Sequence, residues 1–333
     1  MTDSAQTQQL FFNHIRSKLA SHLSFVDEVA ELLNISNDSA YRRIRGEKPM
    51  GLDEIQVLCN KYHVSLDQLL QIKTNTVIFT DDRVDHLSSG FNKWLQFVSH
   101  SLAIFNVMQN PFMYWYSKDL PVFSFIPFPE LTAFKFFFWK RTLLGYPDLA
   151  RQKFNGVEAD IESIEITKKI DELYAKIPSI DIWNGESINA TINQIEFYRQ
   201  SNVFSGDDVL FKVYSQLEDL VNHLELQAET GKKLSYSKPD MFTNVTYEAY
   251  INETLIGDNT ICVRSDNIQV TFINHNGLNF MSTQDKGFCD FTYQHLQNVI
   301  RKSTHISVVG EKERVMFFHK LRAKIQERKN SIN

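Results

Sequence analysis

Residues 26–46 read VDEVAELLNISNDSAYRRIRG, which describes two helical segments separated by a short polar turn. In the first segment, apolar residues recur every three or four positions, as on one face of a helix: Val26, Val29, Ala30 and Leu33. Ser24 followed by Asp27 has the spacing of a capping box, so this helix is predicted to start at Ser24. Asn34 tolerates the left-handed conformation that ends a helix.

The second segment is predicted to be a helix capped by Ser36 and ended by Gly46. Its inward side consists of Ala40, Arg43 and Ile44, and we expect Arg43 to extend outward along its aliphatic stem. Its outward side carries groups that bind base edges and phosphates when such a helix enters a DNA major groove. The predicted DNA-binding residues are Ser36, Asn37, Asp38, Ser39, Tyr41, Arg42, Arg45 and Lys48.

Three further amphipathic helices are predicted around this pair, near residues 10–19, 52–59 and 65–70. Four features carry a family resemblance: Val29-Ala30, the turn Asn34-Ile35-Ser36, the exit Arg45-Gly46-Glu47-Lys48-Pro49 and the closing Val64-Ser65-Leu66-Asp67-Gln68-Leu69-Leu70. Residues 8–71 thereby resemble the lambda repressor/Cro-like (XRE) helix-turn-helix family. The resemblance implies sequence-specific binding to double-stranded DNA, usually by a homodimer on a palindromic operator.

The composition limits the classes of protein that need to be considered. The chain has 333 residues and a formal net charge of −5, so two or three domains are expected and a generic polyanion binder is excluded. Cys59, Cys262 and Cys289 lack the spacing of a metal site or disulfide framework, which favours a reducing, cytoplasmic location. The polar start does not resemble a signal peptide, and no apolar stretch is long enough to predict a membrane span.

The sequence as a whole predicts a mainly α protein in three parts. Residues 1–73 form the five-helix helix-turn-helix domain, 78–235 a helical dimerisation or sensor region, and 240–333 an α+β unit with a small antiparallel sheet. The last helix, near residues 311–328, is predicted to have one apolar face: Val315, Phe318, Leu321 and Ile325. Its basic residues are either a second phosphate contact or an ordinary solvated face.

A long apolar stripe begins at Val84 and continues through Leu87, Phe91, Leu102 and Phe105. A helix with such a stripe is either a core helix or the seam of a dimer, because periodicity alone does not separate the two. The aromatic residues that follow, between 114 and 139, leave a similar choice between an ordinary core and a pocket for a small apolar ligand.

The sequence contains no catalytic signature. Glycine-rich phosphate loops, nucleophile elbows and zinc-protease motifs are all missing. Cys289 and His295 lie six residues apart, so one helix would place them on different faces. We therefore expect no enzyme activity, no metal site and no cofactor.

Two hypotheses follow. The first is a cytoplasmic, sequence-specific transcriptional regulator, a homodimer whose larger part responds to a small-molecule or protein effector. The second is a protein-interaction module that uses the helix-turn-helix head for recruitment, without small-molecule sensing.

Overall fold

The computed structural model describes residues 4–17, 19, 24–70, 76–81, 90–116, 118–156, 161–235, 242–254, 259–275 and 277–332. The chain divides into two compact units, Met1–Ile78 and Phe79–Asn333. Val84 and Leu87, at the start of the predicted long helix, lie outside the described residues, and so do residues 71–75 at the predicted domain boundary.

The described residues of the N-terminal unit form five helices, as the sequence predicts. They are α1 (Ser4–Ser17), α2 (Phe25–Leu33), α3 (Asn37–Ile44), α4 (Leu52–Tyr62) and α5 (Leu66–Leu69). Asn34 ends α2 in the left-handed conformation, with φ 51°. The predicted capping box is wrong, because Ser24 occupies the cap position of α2 but its side chain makes no capping hydrogen bond.

One face of each longer helix supplies the core of this unit. The residues buried there include Phe11, Phe12, Ile15, Val29, Ala30, Ala40 and Leu58. Ala40 is fully buried, and its small side chain lets the inner face of α3 come close to its neighbours. The contacts of α3 with α1 and α2 are therefore set by residue size as well as by hydrophobicity.

The larger unit contains both helices and strands. Its helices are α6 (Gly90–Val107), α7 (Val122–Phe125), α8 (Pro129–Phe138), α9 (Ile161–Tyr174), α10 (Asn189–Gln200), α11 (Asp207–Thr230), α12 (Lys286–Arg301) and α13 (Glu311–Lys329). Its strands are β1 (Thr80–Asp81), β2 (Phe112–Tyr116), β3 (Ser179–Trp183), β4 (Lys232–Leu234), β5 (Phe242–Ile251), β6 (Thr260–Arg264), β7 (Gln269–Asn274), β8 (Phe280–Thr283) and β9 (Thr304–His305). A π-helical turn, Trp139–Leu143, extends α8, and a 3-10 turn follows at Pro147–Leu149.

These strands form one sheet in the order β1-β8-β7-β6-β2-β3-β5-β4, with β9 also paired to β5. Strand β3 is parallel to both β2 and β5, whereas the other pairs are antiparallel. The mainly helical class with a C-terminal sheet is confirmed, but the sheet is mixed rather than antiparallel. Because β2 and β3 come from 78–235, this region and 240–333 belong to one compact unit rather than to the two separate parts predicted.

The apolar stripe of α6 belongs to the core. Phe91, Leu95 and Leu102 are at most 1% exposed, and α6 packs along α9. The structure therefore favours the core alternative over a dimer seam for this helix. The aromatic residues near α8 also pack in the core, where Phe134 stacks on Phe204 at a centroid distance of 5.7 Å.

A small polar cavity lies beside β3, β4 and α11. Its lining includes Asp171, Tyr174, Asp181, His223, Lys233 and Tyr247. The Lys233 ammonium lies 3.5 Å from the Tyr174 ring centroid, and burial lowers the pKa of Lys233 to about 7. Burial also raises the pKa of Asp181, although the nearby Lys233 opposes this shift. The sequence did not indicate this cluster, because its members come from separate elements.

Burial of His223 makes the larger unit sensitive to acid. Removal from water lowers the pKa of His223 to about 4, against 6.5 for the exposed side chain. Between these two values the unfolded chain binds a proton that the folded chain does not. The free energy of unfolding should therefore fall by up to about 1.4 kcal/mol for each pH unit between pH 6.5 and 4, and this contribution should level off below pH 4.

Tryptophan fluorescence during urea unfolding measures this effect, since all four tryptophans lie in the larger unit. In the variant His223→Gln, the free energy of unfolding should depend less steeply on pH between pH 6.5 and 4, because unfolding takes up about one proton fewer. Above pH 7 the free energies of unfolding of the two proteins should differ by a constant amount. The same slope in both proteins between pH 4 and 6.5 would show that His223 is not responsible.

Candidate nucleic-acid interface

Helix α3 presents most of the predicted DNA-binding residues to solvent. Ser36 caps it, as predicted, by accepting a hydrogen bond of 3.3 Å from the Ser39 backbone N–H. Seven of the eight predicted residues are exposed. They are the cap residue Ser36 and, on or beside α3, Asn37, Asp38, Tyr41, Arg42, Arg45 and Lys48. Ser39 is half-buried. One side of α3 is thus available to a partner while the other packs in the core.

Ionic and aromatic contacts organise the C-terminal end of this surface. The Arg45 guanidinium lies 5.3 Å from the Tyr41 ring centroid, a cation–π contact. The Glu47 carboxylate lies 3.5 Å from Arg45 Nη1 and 4.0 Å from Arg42 Nε. It therefore partly neutralises both arginines. All of these side chains are about half exposed, so the pairs are weak and can exchange for other anions.

The N-terminal end of the surface is held by a different contact. The Asn37 side-chain amide donates a hydrogen bond of 2.7 Å to Asp27 of α2, which orients the amide. Asp38 lies in the first helical turn, where its charge complements the helix dipole. A carboxylate at that position repels phosphate but can accept from the amino group of cytosine.

Arg43 does not extend outward as predicted. Its side chain is buried and forms a two-pronged ion pair with Glu54 of α4, with Nε–Oε2 at 3.0 Å and Nη2–Oε1 at 2.6 Å. Arg43 Nη1 also donates to the Ser39 carbonyl oxygen at 3.2 Å. The prediction was wrong because it assumed an apolar inner face, whereas α4 supplies a carboxylate. The Arg43 hydrogen bond is the main influence that lowers the pKa of Glu54.

Glutamines in α1 hold the C-terminal end of α3. Gln8 Nε2 donates to the carbonyl oxygens of Arg43 (2.7 Å) and Lys48 (2.8 Å), and Gln8 Oε1 accepts from the Met50 N–H. Gln9 Nε2 donates to the Arg45 carbonyl oxygen at 2.8 Å. These bonds connect α1 to the end of α3 and to the turn that follows it.

Gln8, Gln9 and Glu54 were all missed by sequence reasoning. They are positioning residues, and their partners lie up to 42 positions away along the chain. Gly46 permits the close approach of α1: its φ is 77°, and a Cβ there would lie 3.1 Å from the Ala5 carbonyl oxygen. The only local signal was the position of Glu54 in the first turn of α4, where its carboxylate also accepts from the Gly51 N–H.

The other candidate groups do not form a site. Cys289 is buried with a raised pKa and contacts Thr271, whereas His295 is exposed. Within the described ranges, no group of three His, Cys, Asp or Glu side chains is arranged to hold a metal ion. None of the described helices combines the length and apolar character needed to cross a bilayer.

The basic residues of α13 are largely paired within the larger unit. Arg322 contacts Glu225, Lys324 contacts Glu186, and Lys329 contacts Glu218 at 3.0 Å. These acids reduce the positive charge that a phosphate would meet. The structure thus favours a packed helix with a solvated face over a second phosphate contact.

Comparison with known families gives a match in the N-terminal part of the chain. Residues 10–80 match the BetR domain. The match begins in α1 and includes α2 to α5, so it contains the whole surface described above. It indicates a regulatory role connected with DNA binding for this unit. No curated protein and no solved structure matches the chain.

Loss of the Arg43–Glu54 pair should destabilise the N-terminal unit. Arg43→Ala leaves the carboxylate of Glu54, whose side chain is 16% exposed, without its main partner. The expected cost is about 3 kcal/mol. Arg42→Ala is the matched control, since the Arg42 side chain is 54% exposed and should change stability by less than about 0.5 kcal/mol.

The measurement is urea unfolding followed by far-ultraviolet circular dichroism and by tryptophan fluorescence. No tryptophan lies in the N-terminal unit, so its unfolding should change the dichroism without changing the fluorescence. Equal stability of the two arginine variants would show that the ion pair does not hold α3.

Proposed function

We propose that the protein is a sequence-specific transcriptional regulator that reads double-stranded DNA with α3. The observation that carries this proposal is the division of α3 into two sides. Its inner side is held by the Arg43–Glu54 pair and by Gln8, whereas its outer side presents unburied donors and acceptors. A rigid helix with such a face suits the major groove. The BetR match and the resemblance to XRE-type domains support the same role.

Each outer residue has a chemical role in this proposal. Arg42 and Arg45 pair with guanine or phosphate. The polar atoms of the Asn37 amide that do not bind Asp27 contact adenine or the DNA backbone. Tyr41 supplies a hydroxyl, and Lys48 adds a charge beyond the helix end. The larger unit then serves in dimerisation and effector response, which extends the proposal beyond the matched residues.

Replacing both Arg42 and Arg45 by alanine should strongly weaken specific binding. Each bidentate contact to a base contributes roughly 1–3 kcal/mol, so the loss of two should lower the affinity at least about thirtyfold. Lys61→Ala is the control, because Lys61 is an exposed cation of the same unit that lies outside α3. The assay is selection of duplexes from a random library by the full-length protein, followed by titration of the best duplex with each variant.

A shared motif that is bound by the wild type and by Lys61→Ala, but lost in the double variant, supports the proposal. The same motif bound with unchanged affinity by the double variant would exclude α3 as the reading helix. Failure to enrich any motif would favour the protein-interaction module instead.

Removing the charge of Glu47 should tighten DNA binding. Glu47 pairs with Arg42 and Arg45 in the free protein and would also face the DNA phosphates. Exposed pairs of this kind contribute roughly 0–1 kcal/mol each, so Glu47→Gln should increase affinity by about two- to tenfold. Fluorescence anisotropy on the selected duplex measures this change. Glu31→Gln, an exposed acid of α2, is the control, and weaker binding by Glu47→Gln would contradict the proposed role.

A further inference from the structure

The small polar cavity beside β3, β4 and α11 contains a hydrogen-bond acceptor that the described chain leaves open. Asp181 lines this cavity and is 1% exposed. Ser179 Oγ donates to Asp181 Oδ1 at 3.2 Å, whereas Asp181 Oδ2 is buried and has no hydrogen-bond partner among the described residues. A buried carboxylate oxygen without a donor is costly, and a molecule in the cavity that donates to it removes this cost.

The charges around the cavity favour a neutral ligand. Two carboxylates line it, those of Asp171 and Asp181, together with the Lys233 ammonium. Lys233 is close enough to Asp181 to oppose the rise that burial causes in the pKa of this carboxyl group. An added anion would therefore meet two carboxylates, and an added cation would meet the ammonium. A neutral group that donates a hydrogen bond to Asp181 Oδ2 avoids both repulsions.

The remaining wall of the cavity offers apolar contacts. Phe123, Pro127 and Leu224 line it together with the ring of Tyr174, and Phe123 stacks on Tyr174 at a centroid distance of 4.7 Å. Such a wall suits an alkyl group, while a polar group fixes the orientation of the ligand. Because the cavity is small, the ligand has only a few non-hydrogen atoms. A short alkyl chain with one hydroxyl group meets all of these conditions, since a hydroxyl group is neutral and donates a hydrogen bond.

We propose that this cavity binds a short-chain alcohol, whose hydroxyl group donates a hydrogen bond to Asp181 Oδ2. Its alkyl group lies against the apolar wall. The inference deepens the proposed function, because it names the chemical class of an effector for the larger unit. It rests on that function only for the consequence, a change in DNA binding, since the alcohol binds without DNA.

The test is saturation-transfer-difference NMR of the full-length protein with small probes: methanol, methylammonium chloride, sodium formate and acetonitrile. Methanol is a neutral donor, methylammonium is a cation, formate is an anion, and acetonitrile has no O–H or N–H group. Ligands with so few atoms bind weakly, so each probe is titrated through the millimolar range. We expect methanol to bind saturably, and at least about tenfold more tightly than the other three probes.

Two matched variants locate the bound alcohol. In Asp181→Asn a neutral amide replaces the carboxylate and is a weaker acceptor, so the affinity for methanol should fall at least about fivefold. Asp171→Asn is the control, because it makes the same change in the same cavity at a carboxylate that already accepts from Ser235 Oγ at 3.2 Å. The control should bind methanol as the wild type does. Far-ultraviolet circular dichroism shows that both variants are folded.

A methanol signal that does not saturate overturns the proposal and leaves the cavity to water, which carries the same hydroxyl chemistry. Tighter binding of methylammonium, formate or acetonitrile by the wild type also overturns it. Equal methanol binding by the wild type and Asp181→Asn means an adventitious additive only, with the same consequence. If methanol binds as expected but no duplex is selected, the proposed function fails while this site stands. If a duplex is selected but methanol does not bind, only the present inference fails.

Discussion

The buried ion pair between Arg43 and Glu54 is the interaction that holds the outward face of α3 in place. A guanidinium inside a small helical unit is costly unless a carboxylate meets it with good geometry, and α4 provides one. Glu54 also accepts from the start of α4, so the same side chain links that helix to α3. Its two parallel hydrogen bonds fix the geometry of the contact between α3 and α4.

The C-terminal end of α3 shows the same principle with neutral groups. Gln8 and Gln9 donate hydrogen bonds to carbonyl oxygens at the end of α3, so α1 holds the exit of this helix. The exposed arginines therefore start from a backbone that is already in place. Glu47 keeps their charges partly neutralised in the free protein. A surface organised in this way loses little conformational entropy when it binds a partner.

The larger unit uses a buried cation for a comparable purpose. Arg314 takes a place where the helical period predicts an apolar residue, and it holds the loop that carries Val308 and Val309. In both units, then, a buried arginine lies beside side chains that remain in water. For α3 these are polar groups, and for α13 they include the apolar Val308, Val309 and Val315.

The sequence by itself determined the elements whose signals are local: the five N-terminal helices, the turn at Asn34, the cap at Ser36 and the outward face of α3. It also determined the mainly helical class, because repeated apolar spacing reports one buried face. Only the tertiary structure decided the mixed sheet, since the uniformly buried strand β3 has no alternating pattern. It alone decided the burial of Arg43, Lys233 and Arg314, because partners distant in the chain determine whether a charge can leave water.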